Sequence, residues 1–277
     1  MSSQYVSDSR PGYLTSVMTG DAWSIGNEDS SKGLRRRYSL VKEEKKYSLL
    51  AKCVAEFLGD LTFVFVGTMQ SYTIGDAITH AALAHGFTIF IIVTALGHIS
   101  GGHFNPAVSW AVVGTGKLPI HHFPFYMFSQ LLGGFCGALL TAAVLNKDQL
   151  KMVMAGATLL SDDNQWWQGL ISETIVTFFL VHTILITAVD SDKVTLAPLA
   201  IGLTLSIDIL STGTITGASM NPARSLGPSI VGSIFLPEIS SKFWTYQYIY
   251  WAGPFLGSTI ALAIYKLFEA REDRFIS

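Results

Sequence analysis

The sequence predicts an all-α membrane protein in which six transmembrane helices and two re-entrant half-helices form an inverted repeat. Three observations carry that expectation. The tripeptide Asn-Pro-Ala occurs twice, at Asn105–Pro106–Ala107 and Asn221–Pro222–Ala223. Around it, Ile99-Ser-Gly-Gly-His-Phe-Asn105 reads against Ile215-Thr-Gly-Ala-Ser-Met-Asn221 at a fixed offset of 116 positions, the self-similarity that marks an internal repeat. The chain is 49% apolar and 14% charged, with a mean hydropathy of +0.41, against a usual charged share of about 25%.

Residues 1–47 are rich in Ser, Asp, Glu, Arg and Lys and lack apolar periodicity, so they read as a disordered tail. They are too charged, and run too long before the first apolar stretch, for a cleavable signal peptide. Within the tail, Arg36-Arg37-Tyr38-Ser39 has the form of a basic-directed kinase site, which makes Ser39 a candidate for phosphorylation. Apolar spans follow near 50–71, 78–97, 122–145, 166–189, 195–212 and 244–267, each close to the roughly 20 residues that cross a bilayer. The channel-forming part is thus expected over 48–268, with repeat one at about 50–145, repeat two at about 166–267 and a short tail at 269–277.

Glu56 and Glu173 open the first and fourth spans, 49 and 48 residues before their Asn. Each half carries three spans, an odd number, so the second copy enters the membrane from the opposite face. Inverted repeats place their shared site near the bilayer midplane, on broken helices whose N-termini point inward. The apolar runs 107–113 and 223–231 are too short to span but suit half-helices. Pro106 and Pro222 fit a first helical position, Asn105 and Asn221 are favoured N-caps, and Gly101, Gly102 and Gly217 let the preceding loops turn sharply. Meeting end to end, two such half-helices join their positive ends. The Asn amides then offer donors to a passing oxygen, a lining that orients water and opposes cations and proton relay.

Positive charge sets the orientation. Seven Lys and Arg residues from Lys32 to Lys46 precede the first span, and Lys266, Arg271 and Arg274 end or follow the sixth. Lys117 and Lys193 fall on the same side, against Lys147, Lys151 and Lys242 on the other. Both termini are therefore expected in the cytoplasm. Trp166, Trp167, Trp244, Tyr246 and Tyr248 sit at span ends as an interfacial belt would. Gly133-x-x-x-Gly137 and Gly253-x-x-x-Gly257 suit close helix approach. The cysteines, Cys53 and Cys136, lie within spans and give no disulfide framework. No nucleophile–base motif, metal spacing or phosphate loop appears, so neither an enzyme nor a cofactor, metal or nucleic-acid partner is expected. The His121-His122 pair reads as interfacial.

Over roughly residues 50–268 the chain resembles the aquaporins. The residues that carry the resemblance are Gly97-His-Ile-Ser-Gly-Gly-His-Phe-Asn-Pro-Ala-Val108, Ser219-Met-Asn-Pro-Ala-Arg-Ser-Leu-Gly-Pro228, Tyr250-Trp-Ala-Gly-Pro254 and Val54-Ala-Glu56. The resemblance implies the six-helix hourglass, homotetramers embedded in lipid, and one pore per subunit for water and small neutral solutes. It implies that Glu56 and Glu173 brace the re-entrant loops. It also implies a second constriction at His85, Ile209, Ala218 and Arg224. His there on the second span, with an apolar residue on the fifth, is similar to aquaporin-8-like channels and plant tonoplast intrinsic proteins. That likeness implies permeability to ammonia, with hydrogen peroxide and urea as further candidates. Ser225 and Tyr250-Trp251 depart from the glycerol-conducting pattern. A glycerol or urea facilitator and, more distantly, a non-conducting junctional protein are the alternatives. The plasma membrane is the expected location. Asp60, one turn after Glu56, and Asp208 have no counterpart in the strict pattern.

Overall fold

A computed structural model describes residues 47–72, 76–190 and 195–269. Ser39, Lys193, most of the N-terminal tail and the end of the C-terminal one lie outside the described residues. Among those described, the helices run α1 (Leu49–Met69), α2 (Ala77–Ser100), α3 (Pro106–Gly114), α4 (Phe123–Val144), α5 (Lys147–Met152), α6 (Trp166–Ile184), α7 (Ala197–Thr216), α8 (Pro222–Phe235), α9 (Ser240–Trp244) and α10 (Ile249–Glu269). Six are long. The short α3 and α8 each sit between the second and third long helix of a repeat, as the all-α expectation requires.

The second and fifth long helices end alike, and the two half-helices begin alike. Asp76 caps α2 by accepting from the Ile78 and Thr79 amides. The Thr79 hydroxyl also donates to it and, with those amides, holds the carboxyl below its usual range. Helix α2 ends at Gly101, whose φ of +101° lets its N–H reach the Gly97 carbonyl, and α7 ends at Gly217, φ +79°, bonded to Gly213. Both are left-handed C-caps, which glycine adopts without a Cβ clash. Asn105 and Asn221 cap α3 and α8, with Pro106 and Pro222 at the first helical position.

The packing obeys the same pseudo-two-fold. Helix α1 packs on α4 as α6 packs on α10, α1 on α2 as α6 on α7, and α4 on α8 as α10 on α3, while α2 and α7 pack on each other. Small residues set the first of these distances. A Cβ on Gly133 would lie 2.4 Å from the Phe57 carbonyl oxygen, and a Cβ on Gly257 2.3 Å from that of Thr174. Since Thr174 occupies in α6 the place of Phe57 in α1, the two crossings are copies of one contact. The exterior is apolar, with Leu58, Phe87, Phe128, Ile175, Ile207 and Ile260 exposed, whereas Glu56, Asp60, Gln130, Glu173, Ser225 and Ser229 are fully buried. That inside-out distribution suits a lipid solvent, where polar groups must find partners within the protein.

Several boundaries differ from expectation. The sixth span begins at Ile249 rather than near 244, because Ser240–Trp244 forms a separate short helix followed by turns. The fifth is shifted to Ala197–Thr216, and α8 extends four residues past 231, carrying Pro228 inside it. The fourth span continues Ile184 into a π-helical turn at Leu185–Val189. By length and composition four of the six long segments are apolar enough to cross a membrane. Helix α1 falls short through Lys52, Glu56 and Asp60, and α10 through its Gly, Pro, Ser, Thr and Tyr content. Helix α5 was not foreseen; its capping box, Asn146 with Gln149, is local.

Substitution Gly133→Val places branched carbon atoms where the α1 backbone already stands. It should cost several kcal/mol, at the upper end of overpacking penalties of about 1–3 kcal/mol or beyond. Gly97→Ala meets nothing nearer than a Val93 methyl at 3.6 Å and should be neutral or stabilising by up to ~1 kcal/mol. Thermal unfolding of the two variants in detergent checks the contrast.

Candidate functional site

The non-helical stretches Gly101–Phe104 and Gly217–Met220 lie between helix ends, where no helical carbonyl is in register to accept from their amides. Glu56 meets the first stretch: its Oε1 accepts from His103 N at 3.1 Å and its Oε2 from Phe104 N at 2.6 Å. Glu173 meets the second in the same way, accepting from Ser219 N at 2.9 Å and Met220 N at 2.8 Å. Both carboxyl groups are fully buried. The amides they hold belong to strained backbone, since Phe104 has φ +46° and Met220 φ +54°, conformations that cost an L residue roughly 1–2 kcal/mol. Tyr126 Oη donates to the Ser100 carbonyl at 2.6 Å and Tyr250 Oη to the Thr216 carbonyl at 2.9 Å, closing each preceding helix end.

The two tips are then tied crosswise. Asn105 Nδ2 donates to the Met220 carbonyl at 2.8 Å, and Asn221 Nδ2 donates to the Phe104 carbonyl at 2.7 Å. Their Oδ1 atoms accept from Ala107 N and from Ala223 N, capping their own helices. Each amide therefore has one N–H committed to the opposite repeat, and Asn221 Nδ2 also lies 3.4 Å from Asp60 Oδ1. Pro106, Ala107, Pro222 and Ala223 are buried in the first turns of α3 and α8.

A cavity of about 380 Å³ reaches these tips from the face on which Lys52 and Lys117 lie. Its wall includes both members of several repeat pairs: Phe63 with Leu180, Ile89 with Leu205, His103 with Ser219, Asn105 with Asn221. The cavity thus arrives at the centre of pseudo-symmetry. On the way it is lined by Val93, Gly102, Val108 and Ile201. The offset of 116 positions turns these four into Ile209, Ala218, Arg224 and His85. The expected constriction is therefore the symmetry image of four residues that line this cavity.

At the image position all four residues are buried. Ile209 and Ala218 join one apolar cluster with Phe63 and Ala82. His85 stands edge-on to Phe63, ring centroids 5.2 Å apart, and its Nδ1 meets the Ala81 carbonyl at 2.8 Å. Its buried Nε2 faces Gly67, where a Cβ would lie 2.3 Å away. Arg224, 7% exposed, donates from Nη1 to the Gly156 carbonyl at 2.7 Å. A second cavity of about 300 Å³, between 154–162 and 242–250, borders none of these four.

Sequence reasoning missed the crosswise Asn bonds, the Gly156 acceptor for Arg224, and Gln130, whose Nε2 donates to Glu56 and to Ser109 Oγ at 2.8 Å each. The Tyr126 and Tyr250 hydroxyls were also missed, although both residues stand seven positions before their Gly133 and Gly257. Asp208 is buried and Asp60 fully so, and neither forms an ion pair among the described residues. His121 and His122 meet edge to face in a 3₁₀ turn, and no group of metal-ligating side chains occurs among the described residues.

The sequence profile described as "Major intrinsic protein" matches residues 43–265. Aquaporin-8 of Notomys alexis is 36% identical over 224 residues, 79% of this chain and 82% of that one. Aquaporin TIP1-2 of Musa acuminata is 36% identical over 229 residues, 76% of this chain and 84% of that one. Among solved structures, the aquaglyceroporin from Plasmodium falciparum superposes with a TM-score of 0.70, covering 80% of this chain and 98% of that one at 22% identity, a likeness of fold. On its duplicated half-helices, its paired carboxylate braces and these likenesses, the chain belongs to the major intrinsic protein family, the aquaporins, whose members are membrane channels.

Proposed function

We propose that this channel passes water together with ammonia, that it excludes protons and ions, and that His85, Ile209, Ala218 and Arg224 form its narrow filter. The observation that carries the reading is the pairing of two half-helix N-termini, with the Asn105 and Asn221 amides between them, at the inner end of a cavity about 380 Å³ in volume. Two positive helix ends facing each other repel cations. Two donors with no free acceptor orient a water by its oxygen, which interrupts proton hand-over along a file.

The filter supplies the second discrimination. Arg224 keeps a fixed positive charge in the narrows because the Gly156 carbonyl satisfies part of its guanidinium. Ile209 and Ala218 offer no hydrogen bond, so a solute there loses hydration without replacement on that wall. A small neutral amine loses less than water does, which favours ammonia. Hydrogen peroxide and urea are the next solutes by size and charge. Ser225, which follows the filter arginine, has its hydroxyl tied to Thr158 and Ser219, which gives no support to a glycerol facilitator.

The wider reading has further support. The apolar exterior suits lipid and a homotetramer of such channels. Lys52 and Lys117 at the cavity mouth, with the cationic tail before α1, favour a cytoplasmic inner face. On the opposite side Lys147 and Lys151 both pair with Glu238. The plasma membrane is the location proposed.

In planar bilayers the purified protein should carry no sustained proton or potassium current while the same preparation shows osmotic water flux in liposomes; a steady current refutes the ion-excluding pore. The double exchange His85→Phe with Ile209→His should lower ammonia flux severalfold and retain most water flux, read as ammonia-driven pH change against osmotic shrinkage. Equal ammonia rates in wild type, double variant and empty liposomes would remove the filter assignment. Glu173→Ala leaves the Ser219 and Met220 amides without acceptors, at about 1–3 kcal/mol each. It should lower the thermal unfolding midpoint and abolish water flux together.

A further inference from the structure

The two halves of the midplane are not equivalent, and the difference lies in one side chain. Asp60 is 0% exposed on α1, one turn after Glu56. Its place in α6 is taken by Thr177, also fully buried, whose hydroxyl finds no partner. Asp60 Oδ1 lies 3.4 Å from Asn221 Nδ2, the atom that already donates to the Phe104 carbonyl. Asn105 Nδ2 has no such second acceptor: it donates to the Met220 carbonyl and otherwise borders the cavity. Asp60 Oδ2 is buried without a partner, and Gly133 crosses so closely that a Cβ there would lie 3.0 Å from the Asp60 Cβ. The carboxyl group is thus wedged behind Asn221, out of the passage.

From this juxtaposition we infer that Asp60 is a positioning residue for Asn221, accepting its second N–H and leaving Asn105 as the principal donor to solute at the midplane. A polar group at this depth is expensive and is kept where it acts on a pathway. An acceptor beside two positive helix ends is favourably placed. The contact is long and therefore weak, which suits a group that biases the amide's rotamer without locking it. A water crossing the midplane is then held firmly by one amide and lightly by the other. Fewer bonds to break means faster passage, while the Asn105 donor and the two helix ends keep the orienting field.

The inference rests on the proposed pore, and the test separates the two. Water permeability per channel is measured by stopped flow in liposomes for wild type, Asp60→Asn, Asp60→Thr and Asp60→Leu, with reconstituted protein quantified. Asp60→Asn keeps an oxygen acceptor in place and should match wild type. Asp60→Thr installs the residue of the other repeat and Asp60→Leu removes the acceptor at similar volume. Each should lower permeability about threefold, the scale of one weak hydrogen bond gained by the solute, with a steeper temperature dependence. If one of these two does not fold, the other carries the comparison. Equal permeability in all four proteins overturns the inference, as does a loss in Asp60→Asn equal to that in the other two, which would make charge rather than acceptance the operative property. No flux above empty liposomes in wild type would instead overturn the pore itself.

Discussion

The carboxylate brace is the constraint on which the rest of the structure depends. Irregular backbone at membrane depth is tolerated only where protein or a water-filled cavity supplies its hydrogen bonds. Here Glu56 and Glu173 each take two consecutive amides of a left-turning strand. Without those acceptors, Phe104 and Met220 would have no reason to hold positive φ, the half-helices would not begin where they do, and the Asn side chains would not meet. The braces are unequal. Glu56 also receives Ser100 Oγ and Gln130 Nε2, while the place of Gln130 in the second repeat is occupied by Pro254.

The pseudo-two-fold explains why one architecture yields an open side and a narrow side. A common frame presents Val93, Gly102, Val108 and Ile201 on one side of the centre and Ile209, Ala218, Arg224 and His85 on the other. The first set is apolar and small enough to leave a cavity. The second adds a guanidinium larger than its valine image and an imidazole in place of an isoleucine, and both are packed into neighbours rather than solvent. The two sides thus differ in side chains carried on a common backbone frame.

Much of this was legible in the sequence because a repeat supplies its own control. The offset between Asn105 and Asn221 fixed the half-helices and their caps, which the structure shows at corresponding points, and it set the register of the candidate filter. Boundaries were less legible where two signals compete. The aromatic cluster Trp244, Tyr246 and Tyr248 looks like a span's beginning, yet it sits in a short helix and turns before Ile249. The first span was read as an apolar stretch, although Lys52, Glu56 and Asp60 make it more charged than the others. What could not be read was any bond that depends on three-dimensional proximity between repeats. That a side-chain amide of one half reaches a carbonyl of the other, 115 and 117 positions away, has no periodic trace.

Those crossed amides have a consequence for how the chain comes into being. Each half-helix tip is completed by an atom that belongs to the other half, so neither repeat holds a satisfied re-entrant loop by itself. During synthesis the first repeat is made while its partner is still to come. Its Phe104 carbonyl and the Asn105 amide must then wait in water, lipid headgroups or the insertion machinery rather than at their final depth. Entry of the first re-entrant loop is thereby coupled to arrival of the second, and the midplane can close only as a late, joint event. The same atoms that would line a finished passage serve as the latch that tells a complete chain from half of one.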